Sequence, residues 1–344
     1  MARLRRVDCG DSGFRRRRHG RGFAYLDQDG ERIDDPETLE RIRSLAIPPA
    51  WRDVWICPLP SGHIQATGFD AAGRKQYRYH DAWRVRRDAD KFESMRQFAE
   101  RLPAVRDQVE RDLALDGMPR ERALACAVRL LDLGFFRIGG EEYAETNESY
   151  GVATVRREHV KVSDGEVVFG FPAKSGQRRV QSTRDEGVRQ AMDTMRRRRS
   201  GPEDLLAYRE GGAWRDVRSE DVNAYIQEHA GEQFSAKDFR TWHGTVLAAL
   251  ELAGQPPPRS KTAAKNVMRE AVNEVIGEAV GEVAEALGNT PAVCRSSYID
   301  PRVLDRFRDG VTIDPARLRN GRLGPRARAR IEREVLDLVS SRRA

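Results

Sequence analysis

Tyr298 stands in Ser296-Ser297-Tyr298-Ile299, shortly after Gly288-Asn289-Thr290-Pro291. A phenol there is a packing group or a nucleophile, and most tyrosines pack. Thr290 can cap a new helix with Pro291 in its first turn, where a missing N–H costs nothing, which puts Tyr298 about two turns along it. Arg137 follows a strongly apolar run, in Phe135-Phe136-Arg137-Ile138-Gly139-Gly140. It can neutralise the C-terminus of that helix. Beside two glycines that let a ligand come close, it can instead grip a phosphate with both arms of its fork. Lys237 and Arg240 open another helix, where the macrodipole favours acids; two cations there suit an anionic ligand better than they suit stability. Lys174 sits in the turn Ala173-Lys174-Ser175-Gly176. A hairpin lysine is ordinarily a bland surface group. Yet the 344-residue chain has only seven lysines, and lysine offers a mobile donor whose pKa can be lowered, as arginine does not.

A second group of interest is Gly62-His63-Ile64-Gln65-Ala66-Thr67-Gly68-Phe69-Asp70, a turn at Ala71-Ala72-Gly73, and Arg74-Lys75-Gln76-Tyr77-Arg78-Tyr79-His80. Two β-rich arms flank an Asp-x-x-Gly turn. Alternation places Arg74, Gln76 and Arg78 on one face and Lys75, Tyr77 and Tyr79 on the other. The bases can hold phosphate, and Gln76 can read an adenine edge. The plainer alternative is a half-exposed hairpin whose tyrosines pack on a core.

Several elements must position these residues. The arginine run Arg15 to Arg18 reads as a flexible arm, able to touch phosphates. Gly22 to Ile33 reads as strand, turn at Gln28-Asp29-Gly30, strand. A short helix over 36–45 stops at Ile47-Pro48-Pro49-Ala50-Trp51, and a strand follows over 54–57. Beyond residue 85 the pattern is helical. Helices are expected over 91–102 and 104–115, broken by Pro103, and over 119–136. Three short strands, 159–163, 166–172 and 178–183, suggest a small antiparallel sheet. Further helices are expected over 185–199, 219–229, 235–252 (with a Ser235/Asp238 cap) and 262–287. The expected fold is therefore α+β. A small β-rich N-terminal domain covers residues 1–85, and a mostly helical domain with a three-stranded sheet covers 86–344.

Composition narrows the partners. Charged residues make up 33% of the chain and hydrophobic residues 39%; the formal charge is +7 and the pI about 9.4. An anionic partner fits, though many arginines alternate with acids on solvated helix faces. Cys9, Cys57, Cys126 and Cys294 are widely spaced with no Cys-x-x-Cys pair, which argues against zinc and a disulfide framework and suits a reducing cytosol. The basic N-terminus has no apolar segment after it, so no signal peptide is expected, and no stretch suggests a membrane span. There is no Walker sequence; Gly170 to Gly176 lacks its Gly-Lys-Ser/Thr core.

Taken together and in order, these motifs resemble the type IB DNA topoisomerases of the small bacterial and poxvirus-like branch. The resemblance covers nearly the whole chain. It rests on Ile47-Pro-Pro-Ala-Trp51, Gly62 to Gly68, Gly73-Arg-Lys-Gln-Tyr-Arg-Tyr79, Phe136-Arg137-Ile-Gly139, Tyr143 with Asn147-Glu148-Ser-Tyr-Gly151, Ala173-Lys174-Ser-Gly176, Lys237-Asp-Phe-Arg240-Thr, and Gly288-Asn-Thr-Pro291 followed by Ser297-Tyr298. It implies that Arg137 and Arg240 grip the scissile phosphate, that Lys174 is the general acid and that Tyr298 is the nucleophile. Many relatives have histidine where Asn289 stands; an amide can still donate to a non-bridging oxygen, without charge or proton exchange. His243 lies on a different helix beside Trp242 and is expected to pack. Arg74, Lys75, Gln76, Tyr77, Tyr79, Tyr143 and Lys237 would contact DNA. The implied partner is supercoiled duplex DNA, clamped by a monomer in the cytoplasm on the nucleoid, with no nucleotide, metal or other cofactor and no membrane. A tyrosine recombinase shares this helical fold and tyrosine chemistry, but usually shows His-x-x-Arg where this chain has Lys237-Asp-Phe-Arg240. A non-catalytic DNA-binding protein on the same fold is the third alternative.

Overall fold

The computed structural model describes residues 4–134, 136–141, 144, 146, 148–173, 178–255, 265–314 and 325–340. Lys174 and Tyr143 lie outside the described residues. The chain divides into two compact units, 1–92 and 93–344, each α+β in its own way.

The first unit is a five-stranded antiparallel sheet in the order β2-β1-β3-β4-β5. The strands are β1 (Phe14–His19), β2 (Gly22–Leu26), β3 (Arg52–Ile56), β4 (Ile64–Phe69) and β5 (Lys75–Tyr79), with the helix α1 (Pro36–Ser44) between β2 and β3. Ile42 of α1 packs on Val54, Ile56 and Ala66 to form the core, edged by Phe14, Tyr25, Ile47 and Trp51. Asp35 caps α1, accepting from the Thr38 N–H.

Two expectations are corrected here. The arginine run is not a free arm; it forms β1. Arg16 explains why: its guanidinium donates to the carbonyls of Ile47, Pro48 and Trp51 and lies 4.2 Å over the Phe23 ring. A fork donor thus anchors the Pro-Pro turn, in which the Pro48 carbonyl also accepts from the Trp51 N–H. Consequently β2 pairs with β1 through a tight turn at residues 20–21, and the return arm after Gly30 contributes only the bridge from Leu26 to Arg32. Gln65 of the Gly62–Gly68 segment also has a structural task. It is buried, and its amide donates to the carbonyls of Leu59, Pro60 and Gly62 while accepting from Arg41.

The second unit is built on helices. The long helix α2 (Asp81–Leu113) begins before the unit boundary and runs through it. Pro103 does not break it, contrary to the sequence expectation. Phe98, Leu102, Val105 and Val109 are all buried on one face around the proline, and that packing outweighs the lost N–H and ring clash of about 3 kcal/mol. The apolar α3 (Arg120–Asp132) is buried nearly all round, as a central helix should be. Three strands, β6 (Val160–Ser163), β7 (Glu166–Pro172) and β8 (Arg178–Thr183), form the expected antiparallel sheet in the order β6-β7-β8. After α4 (Glu186–Arg196) comes a hairpin the sequence reading did not foresee, β9 (Ala207–Glu210) and β10 (Ala213–Asp216). The remaining α-helices among the described residues are α5 (Ser219–Ala230), α6 (Ala236–Ala253), α7 (Lys265–Leu287), α8 (Pro291–Ser297), α9 (Pro301–Arg308) and α10 (Pro325–Ser340). The capping box of α6 forms as expected, with the Asp238 carboxylate accepting from the Ser235 N–H.

A buried ion network ties α2, α3 and α10. Asp132 accepts from Arg106 and Arg328, and Glu332 accepts from both arginines. The two guanidiniums hold the Asp132 carboxyl at about 2, against the burial that would raise it. Among the described residues, no helix is long and apolar enough to cross a membrane.

Candidate active site

The site is assembled around the C-terminal end of α7. That helix closes with Gly288 in the left-handed region at φ +61°. The Gly288 N–H bonds the Glu285 carbonyl and the Asn289 N–H reaches back to the Ala284 carbonyl, the paired bonds of a Schellman ending. Three carbonyls beyond these lack helical partners, and each receives an arginine. Arg179 donates to Ala286 at 2.8 Å, Arg240 to Leu287 at 2.7 Å and Arg137 to Gly288 at 2.8 Å. Arg137 also donates to Asn289 Oδ1 at 2.7 Å.

Each arginine arrives from a different element. Arg137 lies in the segment that follows α3. Its carbonyl accepts from the Val152 N–H and that of Ile138 from Ala153. Here Gly139 and Gly151 touch backbone to backbone; a Cβ on Gly151 would lie 2.3 Å from the Gly139 nitrogen. Arg137 therefore neutralises a helix C-terminus, as one reading of the sequence had it, but that of α7 rather than of α3, which ends five residues earlier at Asp132. Arg240 sits one turn into α6 and is buried, at 6% exposure. Burial, with Arg137 and Arg179 close by, lowers its pKa to about 10, an effect partly offset by Tyr298. Arg179 on β8 is likewise lowered, by burial and then by Arg137.

Thr290 caps α8 as expected, accepting from the Val293 N–H, with Pro291 in the first turn. Tyr298 is the residue that ends α8, its N–H bonded to the Cys294 carbonyl. Its ring faces Arg240, whose guanidinium carbon lies 5.2 Å from the ring centre. The backbone of Tyr298 is seated on α6: its carbonyl meets Gly244 and accepts from Thr245 Oγ1 at 3.4 Å.

Two donors in this cluster are buried with no hydrogen-bond partner among the described residues, Asn289 Nδ2 and Arg240 Nε. The orientation of Asn289 follows from chemistry: a guanidinium only donates, so Oδ1 faces Arg137 and Nδ2 is left as a spare donor. Arg240 Nε shares this state with the Nε of Arg122, Arg129, Arg196 and Arg198, so the amide of Asn289 is the more distinctive of the two.

Of the residues singled out in the sequence, Arg137, Arg240, Asn289 and Tyr298 are thus brought together. Lys237 is exposed on the first turn of α6. His243 packs near Gly134, and burial pushes its imidazole down to about 4. In the first unit, Lys75, Tyr77 and Tyr79 share the exposed face of the edge strand β5, with the two tyrosine rings stacked at 5.9 Å. The packing alternative for these tyrosines is therefore set aside. Arg74 and Gln76 are both drawn to Asp70: Gln76 Nε2 donates to Asp70 Oδ2 at 3.0 Å and Arg74 Nε at 2.9 Å. The residue missed in the sequence is Arg179. In the run Arg178-Arg179-Val180 nothing distinguishes it from a solvated strand residue.

Comparison with known proteins bears on most of the chain. Residues 75–312 match the family model described as eukaryotic DNA topoisomerase I, catalytic core. Residues 22–70 match bacterial DNA topoisomerase IB, N-terminal domain. The chain is 31% identical over 313 residues to DNA topoisomerase 1B of Acanthamoeba polyphaga mimivirus, covering 86% of this chain and 88% of that one. It is 26% identical over 160 residues to DNA topoisomerase 1 of Candidozyma auris, covering 46% of this chain and 20% of that protein. With matches that run through both units and include every residue of the arginine and tyrosine cluster, the chain belongs to the type IB DNA topoisomerase family.

Proposed function

We propose that this protein relaxes supercoiled duplex DNA by transient cleavage of one strand through a 3′-phosphotyrosyl intermediate, without ATP or a metal ion. The observation that carries the reading is the convergence of Arg137, Arg240 and Asn289 on the turn before Tyr298. In this reaction the Tyr298 phenol gives its proton to water as its oxygen attacks the phosphorus. Negative charge grows on the non-bridging oxygens of the pentacoordinate transition state. Guanidinium forks held in place beforehand, that of Arg240 buried, stabilise that charge with little reorganisation. The spare Nδ2 of Asn289 supplies one further donor. The bond from phosphorus to the 5′-oxygen breaks as Lys174 gives that oxygen a proton. The phosphodiester energy is kept in the tyrosyl ester, so no nucleotide is consumed. While the strand is open the free end rotates; the 5′-hydroxyl then attacks back and releases Tyr298.

The N-terminal domain over residues 1–85 would hold the duplex, with Lys75, Tyr77 and Tyr79 toward the backbone and groove and Arg74 and Gln76 beside them. Together with Tyr143 and Lys237 of the catalytic domain, 86–344, it would close a monomeric clamp, working on the nucleoid in the cytoplasm. Binding should weaken steeply with salt.

The test is relaxation of supercoiled plasmid in EDTA without ATP. Wild type should relax the plasmid and yield a covalent adduct on the 3′ end; Tyr298→Phe should bind DNA and do neither. Relaxation by Tyr298→Phe would refute the assignment of the nucleophile. Strand exchange between two target sites without relaxation would mark a recombinase instead, and binding without an adduct in wild type a non-catalytic protein.

A further inference from the structure

We propose that Arg179 is a positioning residue of the cleavage reaction, holding the turn that presents Asn289. The proposal rests on the reading of the site given above. Arg179 is the third cation at the end of α7, and its contacts are with that turn. Its guanidinium donates to the Glu285 carbonyl at 3.0 Å and to the Ala286 carbonyl at 3.1 and 2.8 Å. It also lies flat over Gly288: a Cβ built there would stand 2.9 Å from Nη2, 3.0 Å from Cζ and 3.2 Å from Nε. The absence of a side chain at Gly288 thus serves two ends, the left-handed φ and the seat for this guanidinium.

The strand that carries Arg179 is coupled to Arg137 through the core. Arg179 pairs with Phe171 across β7 and β8. The Phe171 ring stacks on Phe136 at 5.0 Å, with planes 8° apart, and Phe136 directly precedes Arg137. The same sheet therefore fixes both arginines. One holds Ala286 from the strand and the other holds Gly288 and Asn289 from the segment after α3. Between them they hold the turn on both sides of Leu287, and Arg137 also engages the Asn289 amide through Oδ1. A simple helix cap would stabilise α7 alone. Arg179 instead sits where a slackened turn would move a donor aimed at the reaction.

The experiment measures single-turnover cleavage of a duplex that traps the adduct, with non-covalent affinity measured in a Tyr298→Phe background. Arg179→Ala should slow adduct formation by about 10- to 100-fold, the effect of a misplacement of order 1 Å. Affinity should stay within about threefold, and the slope of affinity against salt should not change. The deciding comparison is Arg179→Ala with Asn289→Ala: groups acting through one another are non-additive, so the double variant should be within about threefold of Asn289→Ala alone. Gly288→Ala disturbs the same seat from the other side and should show the same non-additivity, which serves if Arg179→Ala does not fold. Multiplicative losses, an unchanged rate in folded Arg179→Ala, or a salt slope lowered by about 1 (a direct phosphate contact) would overturn the proposal. A wild-type protein that forms no adduct would instead refute the reading of the site on which it rests.

Discussion

Gly244 lies on α6, on the face that receives Tyr298. A Cβ at that position would stand 2.6 Å from the Tyr298 carbonyl oxygen, 3.1 Å from the Tyr298 Cβ and 3.1 Å from Leu287 Cδ1, where ordinary contact begins at 3.4 Å. The carbonyl is backbone and cannot turn away as a flexible side chain would. It is also held from Thr245, whose hydroxyl accepts from the Asp300 N–H. Gly244→Ala must therefore push the end of α8 outward by about 0.8 Å, carrying Tyr298 with it, and a shift of that size is worth of order 100-fold in a reaction that depends on in-line attack. Overpacking should cost about 1–3 kcal/mol in stability, partly offset by the better helix propensity of alanine, up to about 1 kcal/mol. The assay is single-turnover formation of the covalent adduct, beside thermal melting and DNA affinity. The expected result is a folded protein with unchanged affinity and cleavage slowed between about 10- and 100-fold. Wild-type cleavage with wild-type stability would show that Tyr298 is not seated on α6 in this way.

Arg240→Lys replaces a buried fork by a point charge that cannot hold the Leu287 carbonyl and an oxyanion together; single-turnover cleavage should fall by about 10²- to 10³-fold with little change in affinity. Asn289→Ala should slow cleavage and Asn289→His should be tolerated, since either an amide or an imidazole can donate from that position; an unaffected Asn289→Ala would remove the residue from the site. Stability in acid should report His243. Its folded pKa, about 4, lies below the ordinary 6.5, so the unfolded chain binds the proton first and this contribution is lost as pH falls from 6.5 toward 4. Asp204, raised to about 6 by burial near Asp216, acts with the opposite sign over part of that window. The readout is therefore the difference in denaturant midpoint between wild type and His243→Gln, which should narrow as pH falls from 7 to 4.5. Asp132, held at about 2 against an ordinary 3.8, loses its contribution only below that range.

The helices and strands of the second unit were largely legible because their periodicity is strong and their caps are conventional, as with Ser235 and Thr290. Where the reading went wrong, tertiary contacts overrode local signals. Arg15 to Arg18 look like a solvated arm until Arg16 is seen to hold the carbonyls of the Pro-Pro turn. Pro103 looks like a break until the apolar residues on either side are seen to share one buried face. The β9–β10 hairpin had a signal in Gly211-Gly212, both at positive φ, but its four-residue strands gave little alternation to detect. Within the site, Arg137, Arg240, Asn289 and Tyr298 were legible through motif order. Arg179 was not, since its importance comes from what a distant helix end lacks, namely partners for its last carbonyls.

That helix end has an electrical consequence. The C-terminal carbonyls of a helix carry about half a negative charge, and here they are shared among three guanidiniums. The peptide chain thus supplies a permanent counter-ion to its own cations. Unlike chloride or a phosphate, it is not exchanged when ionic strength changes, because it is covalently part of the fold. Salt will then separate two properties that are usually lost together: capture of DNA should fade as it rises, while the rate at which an already bound strand is opened should hold steady.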